Sequence, residues 1–232
     1  MDMIWQSLNV QKNRIKYIAC ATVIEEMRPL LPPGAESEVL DFGMHVSPEK
    51  LKESLQRAIN SAGREAQTVV LGYGLCSNAV VGLKAPECTL IIPRVDDCIA
   101  LFLGSTATYR KESKKEPGTY YLTQGWIEVS DTPFEEYVRM KERYGKERAD
   151  RIMHLMLKNY KRLAYIDTGR SDQESYRAYA QKTARKFNLR YEEIPGNTAL
   201  IRKMIHGPWD EEFVVVQPGE TVMFADFRNR GV

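Results

Sequence analysis

The stretch from Val69 to Ser105 constrains the fold of this chain more than any other part of the sequence. It contains two short apolar runs, Val69–Leu71 and Thr89–Ile92, which have the length and the β-branched content of buried strands. Each run leads into a turn that carries a cysteine, Cys76 after the first and Cys98 after the second. Because ligands collect at the carboxyl ends of the strands in open α/β sheets, this stretch is interpreted as the rim of a site.

The residues before this stretch alternate between strand and helix patterns. Strands are predicted over 17–23 and 38–43. A helix is predicted over 48–62, where Ser47-Pro48 gives a start signal and apolar residues recur at helical spacing. Strands separated by helices in this way indicate βαβ units and a parallel sheet.

The rest of the chain is predicted to contain a loop, a helical segment and a second α/β region. Residues 110–118 are predicted as an exposed loop and 119–128 as a β-prone segment, followed by two helices that meet near Gly145. The order β-α-β-α-β then recurs over 162–216. The predicted fold class is therefore α/β, with two related parallel-sheet βαβ lobes joined by a helical bridge. The first lobe, with the cysteine site, spans 1–118, and the helical bridge and second lobe span 119–232.

Composition excludes several classes of function. The chain of 232 residues has 43% hydrophobic and 28% charged residues, as soluble globular proteins do, and a net charge of +2 without a dense basic tract gives no reason to expect nucleic acid. Its apolar runs are far shorter than the roughly 20 residues that cross a bilayer, so no membrane span is predicted. The opening residues lack the order of a signal peptide, which predicts a cytoplasmic protein whose four cysteines are thiols or metal ligands.

Three cysteines form the candidate metal site. Cys20, Cys76 and Cys98 each lie near the carboxyl end of a predicted strand, so parallel pairing would bring their sulfur atoms to one sheet edge. Three thiolates hold a metal and leave one coordination position open, which is typical of a catalytic site. Soft thiolate ligands favour an iron–sulfur cluster, with zinc as the second choice. A three-cysteine [4Fe–4S] cubane would present its fourth iron to a substrate.

The remaining candidates surround these cysteines. His45 follows the second predicted strand and would supply a nitrogen ligand to zinc, whereas Cys88 is predicted to be structural. Burial in the core remains an alternative for every one of these thiols, because cysteine is among the most buried residue types. Arg94 is a candidate for holding an anionic group, with a local salt bridge to Asp96 or Asp97 as the alternative. Asp97 is a candidate for orienting a ligand.

Several short motifs are similar to those of one protein family. They cover most of residues 17–126 and comprise Ile18-Ala19-Cys20, Met44-His45, Ser47-Pro48-Glu49, Gly72-Tyr73-Gly74-Leu75-Cys76, Gly82-Leu83, Pro93-Arg94, Asp97-Cys98-Ile99, Leu103-Gly104-Ser105, Gly118-Thr119-Tyr120 and Gly125-Trp126. With the later Pro218-Gly219-Glu220, they make the chain resemble the bacterial and archaeal family called domain of unknown function 1638. Ser77 stands where glycine is usual in that family, and Asp96 stands where histidine is common, which argues against a ligand role at position 96.

The resemblance implies a metabolic context but does not specify a reaction. It implies association with corrinoid-dependent methyl transfer in anaerobes, and its pattern retains the positions of Cys20, His45, Cys76, Arg94 and Cys98. The leading hypothesis is a cytoplasmic metal-centre enzyme or accessory factor that acts on a small anionic molecule. The first alternative is a metal-free module that docks onto a methyltransferase or a corrinoid protein. The second is a metal-free enzyme that uses one thiol as a nucleophile.

Overall fold

The computed structural model describes residues 14–129, 132–170 and 173–228 of the chain. Its helices and strands are, in chain order, β1 Ile15–Cys20, α1 Ala21–Met27, β2 Glu36–Leu40, α2 Pro48–Ala62, β3 Thr68–Gly72, β4 Thr89–Pro93, α3 Ile99–Phe102, α4 Thr106–Lys115, β5 Thr119–Leu122, α5 Gln124–Val129, α6 Pro133–Tyr144, α7 Lys146–Leu157, β6 Arg162–Asp167, α8 Gln173–Lys186, β7 Arg190–Pro195, α9 Ala199–His206 and β8 Phe213–Val216. Short 3₁₀ helices occur at Arg28–Leu30, Phe42–Val46 and Phe224–Phe227.

These elements form two compact units. The described residues up to Cys98, together with those from Arg202 onward, make up the first unit, and Ile99–Ile201 make up the second. The sequence-based boundary between residues 118 and 119 differs from this division, because 99–118 group with the second unit and the last segment of the chain returns to the first.

The first unit is built on a five-stranded sheet in the order β2-β1-β3-β4-β8. Strands β2, β1, β3 and β4 pair in parallel, and β8 pairs antiparallel with β4. The central strands contain runs of apolar residues because both of their faces are buried, as shown by Val69, Val70 and Leu71 of β3. Helix α2 contributes Leu51 and Leu55 to the same core, as its apolar periodicity predicts.

The second unit contains a three-stranded parallel sheet in the order β5-β6-β7. Its core includes Leu163 and Tyr165 of β6 and buried positions of the hairpin formed by α6 and α7. This hairpin bends at Gly145, where a positive φ of 78° suits a residue without a side chain. In the part of the chain that the structure describes, no helix has both the length and the apolar character needed to cross a lipid bilayer.

The predicted α/β class with two parallel βαβ lobes is confirmed, as is helix α2 over Pro48–Ala62. The prediction that Phe213–Val216 completes the sheet of the second lobe is wrong, because this strand pairs with β4 of the first sheet. The backbone polar groups on the free edge of β4 need hydrogen-bond partners, and β8 supplies them.

Two local predictions in the second unit are also wrong. Residues 110–115 form part of helix α4 rather than a loop, because the Ser105 hydroxyl accepts a hydrogen bond from the Thr108 amide and caps the helix. The β-prone segment stops at Leu122 because the Thr123 hydroxyl accepts a hydrogen bond from the Trp126 amide at the start of α5. In both places a hydrogen bond to a capping hydroxyl starts a helix where the local composition predicts a loop or a strand.

A buried arginine organises one end of the second sheet. Arg162, at the start of β6, has a fully buried side chain, and its guanidinium donates to Thr119 Oγ1 at 2.8 Å, to Glu192 Oε2 at 3.0 Å and to Glu112 Oε2 at 3.2 Å. Lys115 and Arg190 also bind Glu192, and hydrogen bonds from these three cations lower the pKa of its carboxyl to about 2. Sequence reasoning placed Arg162 in a strand but did not predict this network.

We predict that Arg162→Ala lowers the free energy of unfolding by about 3 kcal/mol, because it removes a fully buried side chain and takes the guanidinium donor away from Thr119 and Glu112, while Glu192 keeps Lys115 and Arg190. The matched control is Arg139→Ala, which breaks an exposed pair with Glu136 and should cost less than about 1 kcal/mol. Urea unfolding followed by circular dichroism measures both effects. Equal losses in the two variants would contradict the structural role given to Arg162.

Candidate functional site

The candidate site lies at the topological switch point of the first sheet, where the strand order changes from one side of β1 to the other. From β1 the chain crosses to β2 on one side, and it then returns to place β3 on the other side of β1. In open α/β sheets, such a switch point leaves a crevice outside the carboxyl ends of the two strands, and ligands bind there. Cys20 is the last residue of β1, and Tyr73 and Cys76 follow β3 directly.

Two glycines allow these strand ends to approach each other closely. A Cβ atom on Gly72 would stand 2.7 Å from the Cβ atom of Ala19 in β1. A Cβ atom on Gly74 would stand 2.7 Å from the carbonyl oxygen of Val95, in the turn after β4. Both distances are too short for any side chain, so the glycines are needed for the contact between the turns that carry the cysteines.

The turn that carries Cys76 is held in an unusual conformation. Cys76, Ser77 and Asn78 have φ angles of 44°, 58° and 67°, in the left-handed region that residues with side chains rarely occupy. Backbone hydrogen bonds from the amides of Leu75 and Cys76 to the turn after β4 fix this segment. Strained backbone of this kind costs about 1–3 kcal/mol per residue and clusters at functional sites.

The three thiols lie close enough to affect one another electrostatically. Burial raises the pKa of the Cys76 thiol to about 12, and the nearby Cys20 thiol adds to this increase. Burial also raises the pKa of the Cys98 thiol well above its usual range, with further contributions from Cys20, Cys76 and Asp97. Cys20 ends β1, and Cys76 and Cys98 lie in the turns that follow β3 and β4, so the three cysteines belong to the same edge of the sheet.

All three thiols are protonated at neutral pH in the absence of a bound metal. Cys20 and Cys98 are buried, and Cys76 is half-buried. Burial raises the pKa of Cys20 as well, although a 3.1 Å hydrogen bond between its Sγ and Thr22 Oγ1 acts in the opposite direction. Each thiol therefore needs an electrostatic partner, such as a cation, before its anionic form is favoured.

Tyr73 is a further member of the site. Its side chain is fully buried, and its hydroxyl finds no hydrogen-bond partner among the described residues. Its pKa is raised by burial and then by the charges of Cys20, Cys76 and Cys98. A buried donor left unsatisfied costs about 1–3 kcal/mol, and such a group in a native protein calls for an explanation.

Sequence reasoning quoted Tyr73 only as part of a glycine-rich turn. The available signal was its position: a large polar aromatic residue stands between two glycines directly after a buried strand. The spacing of the glycines explains the close turn, but it does not indicate where the hydroxyl points.

The other predicted residues take different positions around the thiols. The ring of His45 stacks on the ring of Tyr73, with 5.9 Å between the centroids and 20° between the planes. The charge of Asp97 raises the pKa values of Cys76 and Cys98, so this carboxylate lies close to both thiols. Cys88 is buried at the other end of the sheet, beside Gly63 after helix α2.

Arg94 contacts the opposite side of β4. Its guanidinium donates to the carbonyl oxygen of Phe213 at 3.1 Å, in β8 rather than in β3. It lines an open cavity of about 520 Å³ together with β8 and the carboxylates of Glu220 and Asp226. An anion bound in this cavity would meet two carboxylates as well as the guanidinium. The role of Arg94 in holding an anionic group stays a prediction.

The side chains are not arranged as metal ligands in this structure. Within residues 14–129, 132–170 and 173–228, no group of three or more histidine, cysteine, aspartate and glutamate side chains is positioned to hold a metal ion. The residue types themselves suit a soft metal, because Cys20, Cys76 and Cys98 offer three sulfur atoms at one edge of the sheet. Binding of one metal centre by all three thiols requires their side chains to turn toward a common point.

Fold and site together define an α/β protein with buried thiols at the switch point of a mixed sheet. A family model with the description "Protein of unknown function (DUF1638)" matches residues 39–205, and the chain belongs to this family. The matched residues include Tyr73, Cys76 and Cys98, whereas Cys20 precedes them. Comparison with curated proteins and with solved structures found no match.

We predict that iodoacetamide reacts with the thiols of the metal-free native protein at least about a hundredfold more slowly at pH 8 than with a free cysteine, because only the thiolate is nucleophilic. Cys76 should react first, since it is the half-buried thiol of the three. Its rate should keep rising up to at least pH 11, because its pKa is raised to about 12. Mass spectrometry of the peptides measures each site.

The matched control is the same protein in urea, where all four cysteines should react at the rate of free thiols. A Cys76 rate in the native protein that levels off near pH 9 would contradict the burial described above. Rapid alkylation of Cys76 alone at pH 7 would instead support the hypothesis of a single nucleophilic thiol.

Proposed function

We propose that this chain is a metal-centre protein that holds an iron–sulfur cluster on Cys20, Cys76 and Cys98. The observation that supports the proposal is the placement of three cysteines, two of them buried and one half-buried, after three neighbouring parallel strands at one edge of the first sheet. Iron–sulfur clusters are held by cysteine thiolates, and zinc, which accepts the same ligands, is the second choice.

The environment of the thiols supports a bound cation. A metal would replace the three thiol protons and offset the effect of burial, the main cause of the raised pKa values of Cys76 and Cys98, as well as the repulsion among the thiolates. The strained turn at Cys76 supports the proposal as well, because residues are retained in left-handed conformations where function needs them. Three protein ligands leave one coordination position for a small molecule.

Individual residues take separate roles in this proposal. His45 would complete the coordination of zinc after its ring leaves the stack on Tyr73. Asp97, whose charge acts on two of the thiols, would orient a ligand or a bound molecule. Arg94 would hold an anionic group of the substrate.

The proposed setting is a reducing cytoplasm. All four cysteines are free thiols in this structure, as expected where thiols are kept reduced. We further propose that the centre acts as an enzyme or an accessory factor on a small anionic molecule, in connection with corrinoid-dependent methyl transfer.

The test is metal analysis of protein purified under nitrogen. We expect about four iron and four sulfide ions per chain, with a brown colour, or about one zinc ion for the second choice. Cys20→Ser, Cys76→Ser and Cys98→Ser should each lower the bound metal at least about tenfold, as loss of a ligand does. Cys88→Ser, the matched control, should keep the metal because Cys88 lies at the other end of the sheet.

Active protein without metal would overturn the proposal, and so would equal metal loss in the Cys88 variant. Circular dichroism of each variant shows whether a loss of metal reflects a loss of fold. Protein that contains zinc instead of iron would support a zinc site on the same three cysteines.

A metal-free docking module is the alternative proposal, and exposed apolar side chains favour it. Leu155 and Met156 of α7 and Val138 of α6 are 64%, 46% and 49% exposed. Exposed apolar patches are typical of protein–protein contact sites. A methyltransferase or corrinoid protein that binds a triple Cys20→Ser, Cys76→Ser, Cys98→Ser variant as well as it binds wild type would favour the module, provided that the wild type carries no metal.

A further inference from the structure

The second unit contains a cavity of about 380 Å³ that the proposed function does not use. It is lined by the helical hairpin of α6 and α7 and by the segment that joins α8 to β7. All of its lining residues belong to Ile99–Ile201, so the cavity lies within one unit. Its volume falls in the range of small-molecule sites, which is about 300–1,000 Å³.

Much of the lining is apolar and aromatic. Met153, Leu157 and Leu189 line the cavity and are buried in the core of the second unit. Tyr137 and Phe187 also line it, and their rings pack edge to face, with 5.5 Å between the centroids and 85° between the planes. Because the two rings hold each other in place, a flat apolar group can pack against them with little loss of side-chain freedom.

The polar part of the lining carries an excess of positive charge. Lys158, Lys186 and His154 line the cavity, together with a single carboxylate, that of Asp150. One oxygen of this carboxylate is already occupied, because the Tyr137 hydroxyl donates to Asp150 Oδ1 at 2.7 Å. Neither lysine forms an ion pair with any carboxylate in the described part of the chain. The cavity therefore favours a negatively charged ligand.

Aromatic neighbours hold Lys186 at this cavity. Its Nζ atom lies 4.2 Å from the centroid of the Tyr137 ring and 5.3 Å from the centroid of the Phe187 ring. Cation–π contacts attract the ammonium group but leave its positive charge in place. The charge is thus held beside the two rings, where it can pair with an anionic group on a molecule that packs against them.

We propose that this cavity binds a small organic anion with an aromatic body. The aromatic body packs against Tyr137 and Phe187, and the anionic group pairs with Lys158 and Lys186. The site is independent of the proposed metal centre, since none of the described residues that line it is a cysteine.

The two parts of the lining distinguish this ligand from others. A neutral aromatic molecule would contact the rings but leave the positive charge unpaired, and an aromatic cation would be repelled by the two ammonium groups. A small anion without a ring would leave the apolar lining in contact with water. Tight binding therefore needs both parts, and it should weaken as the salt concentration rises, because the ion pairs are open to solvent.

The experiment measures the binding of matched probes to the full chain by NMR titration. The probes 2-naphthoate, 2-naphthamide and 2-naphthylmethylammonium share one ring system and differ in charge, whereas acetate has the charge without the ring. Lys158→Met and Lys186→Met each remove one ammonium group from the cavity. The matched control is Lys182→Met, which removes a charge from the same helix as Lys186 at a position that does not line the cavity.

We expect the dissociation constant of 2-naphthoate to be at least about tenfold lower than that of each other probe, because only this probe pairs its charge and also buries its ring. Lys158→Met and Lys186→Met should each raise it about fivefold, as loss of a partly exposed ion pair does. Lys182→Met should leave it unchanged. Chemical-shift changes in wild type should be largest at the residues that line the cavity.

Several results would overturn the proposal. Undetectable binding of 2-naphthoate would do so, and so would equal affinity for 2-naphthoate and 2-naphthamide, because the apolar lining alone would then account for binding. An equal effect of Lys182→Met would show that only the net charge of the protein matters. The shift map of wild type requires no variant, and changes concentrated away from the cavity would overturn the proposal even if a lysine variant failed to fold.

Discussion

The site depends on the close approach of three strand ends in the first sheet. Gly72 brings the end of β3 against β1, and Gly74 brings the following turn against the turn after β4. Any side chain at either position would push the strand ends apart, since the available space is shorter than a normal contact. The cysteines follow these strands, so their proximity is a consequence of backbone packing rather than of attraction between thiols.

Several features of this sheet edge are unfavourable for folding. The turn at Cys76 holds three residues in left-handed conformations, the thiols are buried, and Tyr73 carries a hydroxyl without a described acceptor. Each feature opposes folding on its own, and a cation bound by the sulfur atoms would offset the burial of the thiols, because it would stabilise the thiolates.

The α/β class could be predicted from sequence because short apolar runs and one strongly periodic helix, Pro48–Ala62, are local signals. The pairing of β8 with β4 could not be predicted from sequence, because the composition of Phe213–Val216 is compatible with either sheet. The sequence also indicated the cysteine-bearing edge, since each of the three thiols follows a strand. The burial of the Tyr73 hydroxyl and the network around Arg162 depend on where side chains point across contacts between distant segments, and no pattern in the sequence reports that.

Anomalous diffraction at the iron absorption edge, from crystals grown and loaded under nitrogen, would locate a bound cluster. We expect anomalous density in contact with the sulfur atoms of Cys20, Cys76 and Cys98, at the carboxyl ends of β1, β3 and β4. Iron bound elsewhere would contradict this expectation, and so would iron that is not in contact with all three sulfur atoms.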